Sequence, residues 1–270
     1  MKILNKIARK HKNNENPTKI EFLHDSLLID ESILVLGDLH IGYEEHIAEA
    51  GIFPRVQLRE ILSKLKDIFW NISMQGKKIK QVIILGDLKH EFGGISDIEW
   101  SETIKFLDYL DEQIAKDKDE KKENDRIILI KGNHDTILGP IAKKKGVALR
   151  DFYRHKEICF MHGNKLHGNC FEKSKILILG HLHPAITLKD NYKKEKYKCF
   201  LHGKWKKKEV YIIPSFSPIG FGYELNSIEQ SRHNNEFLII KYNLLENFEV
   251  VIYNSNENKE YNFGKLKKLI

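Results

Sequence analysis

The chain has 270 residues, of which 41% are hydrophobic and 31% are charged. This length suits one large domain, and the composition is that of a globular protein rather than a disordered or fibrous one. No apolar run approaches the roughly 20 residues of a membrane span, so no membrane partner is expected. The net charge of +7 favours anionic partners, although a lysine-rich genome would produce the same charge.

The N-terminal segment and the cysteines predict a cytoplasmic protein. Residues 1–18 are basic, but their apolar stretch is far too short for a signal peptide. The three cysteines, Cys159, Cys170 and Cys199, lack the spacing of a zinc site and cannot all pair. We predict that all three are reduced thiols, buried as packing residues.

Apolar runs that predict strands alternate with patterns that predict helices. Apolar residues at helical spacing predict helices from Pro54 to Trp70 and from about Ile98 to Ala115. The charged run 116–125 is predicted to be a solvated helix end or loop. Buried strands are predicted in IEFLHDSLLIDESILVL, QVIIL, RIILI, KEICFM and KILIL, and later in YKCFLHG, EVYIIPS, EFLIIKYN and FEVVIYN. This alternation predicts one α/β domain over 1–270, with a sheet that is at least partly parallel and covered on its faces.

Five of the predicted strands end in a short polar tip. The tips are GDLH (37–40), GDLKH (86–90), GNHD (132–135), MHG (161–163) and GHLH (180–183). In open α/β sheets, ligands bind outside the carboxyl ends of the strands, so these tips are expected to form one site. Glycine beside most of the polar residues would permit the close backbone approach that such a site needs.

The residue types in the tips predict a metal site. The candidate ligands are Asp38, His40, Asp87, Asn133, His162, His181 and His183. Asp38 and His40 are two residues apart, so their side chains point the same way on an extended chain, and the same holds for His181 and His183. Carboxylate, amide and imidazole donors without a thiolate suit Mn²⁺, Fe or Zn²⁺. A lone Gly-Asp is usually a turn and a lone histidine usually a packing residue, but five such tips together favour metal binding.

The order of the tips also resembles a known family. Asp-x-His, Gly-Asp, Gly-Asn-His-Asp, His-Gly and Gly-His-x-His resemble the motif set of the calcineurin-like metallophosphoesterases, over about residues 33–183. The resemblance implies a four-layer α-β-β-α sandwich with mixed sheets and a metal site at the C-terminal strand ends. DLHIGYEE and GDLKHEFG look like the SbcD/Mre11 nuclease branch. FLHGKW and YIIPSFSPIGFG resemble small archaeal SbcD/Mre11-related phosphoesterases and bacterial ligase-associated ones.

The resemblance assigns metal ligands. It implies two divalent metal ions, with Mn²⁺ preferred over Fe or Zn²⁺. One ion would be held by Asp38, His40 and His183, the other by Asn133, His162 and His181, with Asp87 bridging the two. A hydroxide between the ions would attack phosphorus in an in-line displacement, so no protein base would be needed.

The resemblance also assigns three catalytic residues. His134 would contact the phosphate, stabilise charge in the transition state and protonate the leaving oxygen. Asp135 would hold the His134 imidazole in the required tautomer and raise its pKa. His90 matches the additional histidine of the nuclease branch, where it assists near the phosphate; an exposed loop histidine is the alternative interpretation.

A lysine-rich segment follows the last tip. Residues 189–211 are predicted to form a hairpin of two strands around a His-Gly-Lys-Trp turn. Its lysines and aromatic residues would bind backbone phosphates and stack on bases, with Lys204, Trp205 and Lys206 as candidate substrate contacts. The alternative is an edge hairpin whose lysines prevent aggregation.

The leading functional hypothesis is a two-metal phosphodiesterase or nuclease whose partner is a phosphodiester substrate, DNA and RNA among the candidates. The alternatives are a small-molecule phosphodiesterase or phosphomonoesterase, and a catalytically inactive scaffold on the same fold. The nuclease branch proper has a capping domain and a segment that binds an ATPase. The sequence ends soon after the last motif, so no ATPase partner is expected, and a homodimer is compatible with it.

Overall fold

A computed structural model describes residues 18–48, 55–114, 126–190, 192–220, 222–227 and 238–270. Three predictions fall outside these ranges: the basic N-terminal segment up to residue 17, the helix start at Pro54 and the charged run 116–125. None of the helices within the described ranges combines the length and apolar character that a membrane span requires.

The first sheet has six strands. They are β1 (Ile20–Leu23), β2 (Ser26–Ile29), β3 (Ile33–Leu36), β4 (Gln81–Ile84), β5 (Ile127–Ile130) and β6 (Ala148–Arg150). They lie in sequence order across the sheet. The pairs β1–β2 and β2–β3 are antiparallel, whereas β3 to β6 run parallel to one another. The carboxyl ends of β3, β4 and β5 therefore meet at one edge.

The second sheet has seven strands. They are β7 (Tyr153–His155), β8 (Ile158–Met161), β9 (Ile176–Leu179), β12 (Phe200–Trp205), β13 (Lys208–Ile212), β15 (Glu249–Asn254) and β16 (Lys259–Lys265). Their order is β16-β15-β12-β13-β9-β8-β7, with β8, β9 and β13 parallel. A small third sheet contains β10 (Pro184–Lys189), β11 (Lys194–Lys198) and β14 (Tyr223–Glu224).

The helices cover the outer faces of the sheets. They are α1 (Tyr43–Ala48), α2 (Gln57–Met74), α3 (Asp97–Ile114), α4 (Gly139–Lys145), α5 (Gly168–Glu172) and α6 (Tyr242–Leu245), followed by a 3₁₀ turn at Leu266–Lys268. The two long helices predicted from the periodicity of apolar residues are confirmed as α2 and α3. Their buried residues pack in one cluster with the first sheet.

Burial on both faces explains why the central strands are continuously apolar. In β3, Leu34 and Leu36 pack in the cluster with α2 and α3, while Ile33 and Val35 pack between the two large sheets. A third cluster lies on the outer face of the second sheet, where α5, α6 and the small sheet cover it. The predicted four-layer sandwich with mixed sheets is thus confirmed, with an outer layer that includes three short strands beside its helices.

One predicted strand is wrong. EFLIIKYN forms no strand in its described part, because residues 238–240 bend and α6 begins at Tyr242. Leu238 and Ile240 are nevertheless buried, and the backbone N–H of Ile239 donates to the carbonyl of Gly163 at 3.0 Å. The apolar run therefore indicated burial correctly, but its residues pack over the sheet without joining it.

The lysine-rich segment is not a single hairpin. β11 pairs with β10 in the small sheet, whereas β12 pairs with β13 in the second large sheet. His202 and Trp205 lie within β12, and the turn falls at Lys206 and Lys207, whose φ angles are 48° and 66°. A two-residue hairpin turn with positive φ at both positions usually contains Asn or Gly. Because lysines occupy both positions here, the sequence did not indicate a turn at this point.

Two of the three cysteines are paired. Cys159 on β8 and Cys170 on α5 form a disulfide, with 5.6 Å between their Cα atoms. Cys199 is a free, buried cysteine. The prediction of burial is confirmed for all three, but the prediction of reduced thiols is wrong for Cys159 and Cys170. The packing of α5 against β8 brings them together, and their sequence spacing carries no sign of it.

Candidate active site

The five polar tips meet at one edge, where the two large sheets approach each other. The backbone N–H of Asp38, after β3, donates to the carbonyl of Gly86, after β4, at 3.2 Å. Across the sandwich, the N–H of Phe216, after β13, donates to the carbonyl of Gly37 at 2.8 Å. These bonds join the strand ends of both sheets, so side chains from all five tips converge.

The first group of potential ligands contains Asp38, His40 and His183. The Nε2 atoms of His40 and His183 are 3.3 Å apart, and Nε2 of His183 is 3.2 Å from Oδ1 of Asp38. Two ligands that are each about 2.1 Å from one ion lie about 3.0 Å apart in octahedral geometry and about 3.4 Å apart in tetrahedral geometry. The spacing of these three donors therefore fits a single metal ion.

The second group contains Asp87, His162 and His181, together with Asn133. Nε2 of His162 lies 3.0 Å from Nδ1 of His181, 3.0 Å from Oδ1 of Asn133 and 3.3 Å from Oδ2 of Asp87. The His162 Nδ1 atom is 2.8 Å from the carbonyl of Leu85. That carbonyl can only accept a hydrogen bond, so Nδ1 carries the proton and Nε2 is left as a metal donor.

Asp87 lies between the two groups. Its Oδ2 atom is 3.7 Å from Nε2 of His40 in the first group and 3.3 Å from Nε2 of His162 in the second. Its side chain is almost fully buried, as is that of Asp38. Two buried carboxylates require compensating positive charge. The donor set and its spacing therefore fit two divalent ions that share Asp87.

The protonation of the histidines reflects the negative charge of this cluster. Burial tends to lower the pKa of His162, but the carboxylates of Asp87 and Asp38 outweigh burial and raise it to about 9. Burial lowers the pKa of His40 to about 3 and that of His181 to about 4. Hence the carboxylates stabilise a positive charge between them, the charge that a metal ion would supply, while His40 and His181 remain neutral, as metal ligands must be.

The ligands hold unusual backbone conformations. Asp38, His40, Asp87, His181 and His183 have φ angles of 53°, 48°, 48°, 68° and 49°. Non-glycine residues in this left-handed region cost about 1 to 3 kcal/mol each and cluster at functional sites. These left-handed residues lie directly after the strands, and their side chains point into the group of potential metal ligands. No signal in the sequence predicted this feature.

His134 is oriented by a backbone carbonyl. Its Nδ1 atom is 2.5 Å from the carbonyl of His90, so Nδ1 donates and Nε2 is the atom free to exchange a proton. The prediction that Asp135 orients this imidazole is wrong. The Asp135 carboxylate instead accepts hydrogen bonds from the backbone N–H groups of Leu88, at 3.1 Å, and Gly132, at 2.9 Å. Asp135 thus links its own tip, residues 132–135, to the tip at residues 86–90. Burial raises the pKa of the Asp135 carboxyl to about 6.

His90 contacts both His40 and the helical layer. Its Nδ1 atom is 3.4 Å from Nδ1 of His40, on the side of that ring away from the ligand group. The backbone N–H groups of His90 and Glu91 donate to Oε1 of Glu99 at 2.6 and 2.8 Å. Ser96 and Glu99 have the Ser-x-x-Glu spacing of a capping box at the start of α3. In a capping box the glutamate side chain would accept from the backbone N–H of the serine. Here Glu99 instead accepts from the N–H groups of His90 and Glu91, so it positions the loop that carries His90.

Gln57 is a buried residue that the motif analysis missed. Its Nε2 atom donates to the carbonyl of His40 at 2.8 Å and to the hydroxyl of Ser217 at 3.0 Å. Its Oε1 atom accepts from the N–H of Gly42 at 3.2 Å. Gln57 begins α2, and its own backbone N–H is held by Glu44 of α1 at 2.7 Å. It therefore fixes the left-handed turn at His40 from a distant part of the sequence.

Replacing Gln57 with leucine should lower both stability and metal affinity. The change leaves the buried Gly42 N–H without a partner, at a cost of about 1 to 3 kcal/mol. It also removes one of the two hydrogen bonds that the His40 carbonyl accepts, the other coming from the N–H of Tyr43. Metal affinity should fall about tenfold, because outer hydrogen bonds orient the ligands. Thermal unfolding and titration with Mn²⁺ measure the two effects. Gln75→Leu, at an exposed position after α2, should change neither.

A cavity of about 400 Å³ opens beside the first ligand group. Its lining residues are His40, Tyr43, His90, His134, His183, Ser215, Ile219, Gly220 and Gly222. One wall is the segment after β13, which three hydrogen bonds hold in place. The Ser215 hydroxyl donates to the Asp38 carbonyl at 2.6 Å, and the Lys198 ammonium donates to the carbonyls of Ser215 and Ser217.

The predicted substrate contacts lie elsewhere. β13 runs parallel to β9 from Glu209 opposite Ile176, so the turn that joins it to β12 lies at the end of the sheet opposite the cluster. Trp205 is buried against Phe171, with 5.5 Å between ring centroids. Lys204 and Lys206 flank it on the surface. Lys204, Trp205 and Lys206 therefore lie away from the ligand groups, and a contact between them and a substrate stays a prediction.

Comparisons with known proteins agree with this fold. The family model for calcineurin-like phosphoesterases matches residues 31–260. The chain is similar to the crystal structure of the nuclease MPE from Pseudomonas putida, with a TM-score of 0.55, 17% identity, and coverage of 88% of this chain and 94% of that chain. It is also similar to the phosphoesterase YfcE from E. coli, with a TM-score of 0.36, 12% identity, and coverage of 86% and 98%. At these identities, the similarity concerns the fold alone. No curated protein matches the chain.

Proposed function

The chain belongs to the calcineurin-like phosphoesterase family, and on that premise we propose that it is a two-metal phosphodiesterase that cleaves nucleic acids or nucleotides. Members of this family hydrolyse phosphoric esters and bind divalent metal ions. The observation that carries the proposal is the position of Asp87. Its carboxylate lies within 3.7 Å of a histidine nitrogen in each of the two ligand groups.

The proposed ions are held by the two groups described above. Asp38, His40 and His183 would hold one ion, and Asn133, His162 and His181 would hold the other, with Asp87 available to both. Oxygen and imidazole donors without a thiolate favour Mn²⁺, with Fe and Zn²⁺ as the next choices. When bound, two such ions neutralise the phosphoryl oxygens and supply the nucleophile for an in-line displacement.

In this proposal, the chain supplies the proton for the leaving group. The hydrogen bond from Nδ1 of His134 to the His90 carbonyl leaves Nε2 as the position from which a proton can be transferred. His134 lines the cavity beside the first ligand group. A protonated His134 would stabilise charge on the phosphate in the transition state and then protonate the departing oxygen. His90, through its contact with His40, keeps that ligand in position.

The cavity lining favours a diester over a monoester. Among the described residues, none of those that line the cavity is a lysine or an arginine. A phosphodiester carries one negative charge, whereas a monoester carries close to two at neutral pH, and a monoester site therefore needs more cationic groups. The structurally similar MPE is a nuclease. Oligonucleotides are for this reason the first substrates to test.

The His134→Ala variant should lose activity without losing metal. We expect hydrolysis of labelled single- and double-stranded oligonucleotides with Mn²⁺ to fall roughly 10²-fold or more, which is typical of a missing general acid. Because the His134 side chain belongs to neither proposed ligand set, bound Mn²⁺ should stay at the wild-type level. His155→Ala, at the β7–β8 turn on the opposite end of the sheet, is the matched control and should retain full activity.

The outcomes separate the candidate functions. Turnover of p-nitrophenyl phosphate with bis-p-nitrophenyl phosphate left intact would contradict the diesterase and support a phosphomonoesterase. Turnover of small diesters but of no oligonucleotide would restrict the enzyme to small-molecule diesters. Bound metal with no hydrolysis of any ester would support the inactive scaffold.

A further inference from the structure

A continuous row of aromatic rings leads out of the cavity past the proposed acid, His134. We call it the aromatic rim, and its members are Tyr43, His46, His90, His134 and Phe92. Ring centroids are 4.6 Å apart for Tyr43 and His90, 5.4 Å for His46 and His90, and 5.5 Å for His90 and His134. Phe92 lies at the end of the rim nearest His134, with 5.4 Å between their centroids and an angle of 90° between their planes.

Phe92 is the most solvent-exposed phenylalanine or tryptophan in the described chain, with 65% of its surface accessible. A single exposed apolar residue needs no functional explanation by itself. The position of Phe92 provides one, because its loop begins at His90 and Glu91, whose backbone is anchored by Glu99. An anchored loop therefore holds an exposed ring beside the residue that is proposed to protonate the leaving group.

The direction of the reaction identifies what the ring would contact. His134 must approach the oxygen that leaves, so the group attached to that oxygen lies on the His134 side of the phosphate. Phe92 is the next ring beyond His134 on that side of the rim. Tyr43, by contrast, is half-buried and lines the cavity wall. The accessible flat surface near the leaving group is therefore that of Phe92.

We propose that Phe92 is the stacking surface for the nucleobase of the leaving nucleoside. The inference rests on the proposed phosphodiesterase function and adds a substrate class to it: diesters whose leaving alcohol carries an aromatic base. Stacking on a phenyl ring tolerates every base, because each base has a π-face. The site would thus prefer nucleoside leaving groups over aliphatic alcohols while showing little base specificity.

The test compares diesters that differ only in one base. The substrates are a diadenosine dinucleotide and two analogues, each with an abasic ribose on one side of the phosphate. With Mn²⁺, the Phe92→Ala variant should lower kcat/KM for the dinucleotide by about 10-fold, mainly through KM, as expected for one lost stacking contact. It should leave the analogue without the leaving-side base unchanged. Phe92→Trp should keep wild-type values for all three substrates.

A matched control is Trp70→Ala on α2. Trp70 is 63% exposed, close to the value for Phe92, but lies thirteen residues along α2 from Gln57, which is about 20 Å. This variant should hydrolyse all three substrates at wild-type rates. It excludes a general effect of removing an exposed aromatic side chain.

Two results would overturn the stacking role while leaving the phosphodiesterase intact. An equal loss by Phe92→Ala on all three substrates would mean that the ring only positions His134, and no loss on any would mean that no base contacts it. Failure of the wild-type enzyme to hydrolyse any diester, with Mn²⁺ bound, would overturn the proposed function and the stacking role together. Wild-type hydrolysis of bis-p-nitrophenyl phosphate distinguishes the two kinds of failure.

Discussion

The Asp87→Asn variant is expected to bind fewer than two Mn²⁺ ions per chain and to lose roughly 10³-fold or more in phosphodiester hydrolysis, about 4 kcal/mol in transition-state stabilisation. Asp87 is the only residue that is proposed to serve both ions. Asparagine keeps the volume of the side chain and one oxygen, but it removes the negative charge. Asp38 would then be the one carboxylate left among the proposed ligands, and its single charge cannot offset two divalent ions.

Exposed carboxylates provide the control for this effect. Asp151→Asn removes one negative charge from a side chain that is 65% exposed, so neither metal content nor activity should change. Metal content is measured on purified protein after dialysis against Mn²⁺, and activity on bis-p-nitrophenyl phosphate. Wild-type metal content and activity in Asp87→Asn would contradict the assignment of Asp87 as the shared ligand.

Among the glycines that the structure describes, Gly132 is the one whose replacement by alanine should be most disruptive. A Cβ atom at this position would lie 2.0 Å from Oδ1 and 2.4 Å from the backbone nitrogen of Asp87. A backbone atom cannot rotate away, so the strand end carrying Asp87 would have to move. Overpacking of this kind costs about 1 to 3 kcal/mol or more, and the displaced Asp87 should lower metal occupancy as well.

The matched control is another glycine with free space around it. Gly139 begins α4, and a Cβ atom there would meet no atom within 4 Å. Gly139→Ala should leave stability unchanged or raise it by up to about 1 kcal/mol, because it restricts the unfolded chain. Thermal unfolding of the two variants gives the comparison. Equal stability of Gly132→Ala and Gly139→Ala would contradict the packing of the strand ends described here.

The sequence predicted the core of the fold because burial on both faces leaves a clear pattern. The run Ile33–Leu36 and its counterparts in β5, β8 and β9 are continuously apolar, and β4 is apolar after Gln81, so each was identifiable as a buried strand. The polar tips after these strands were equally distinct. Parallel strands place their carboxyl ends at one edge, and this is why the convergence of the ligands was predictable as well.

Contacts between distant segments were not predictable. Gln57 holds the His40 turn from the start of α2, and nothing in its local sequence indicates this. Trp205 looked like a surface residue because lysines flank it, yet alternate residues of a strand face opposite sides, and Trp205 faces the core. Asp135 follows His134 directly, but its carboxylate turns away towards the backbone of the neighbouring tip.

The proposed two-metal mechanism is tested most directly by adding Mn²⁺ stepwise to metal-free protein while bound metal and diester hydrolysis are both recorded. The two ligand groups predict binding of two ions per chain, with bis-p-nitrophenyl phosphate hydrolysis appearing only as the second ion binds. Asp87→Asn in the same titration should stop short of two ions and show no comparable rise. Full activity with one ion per chain, or saturation at one, would contradict the two-metal site.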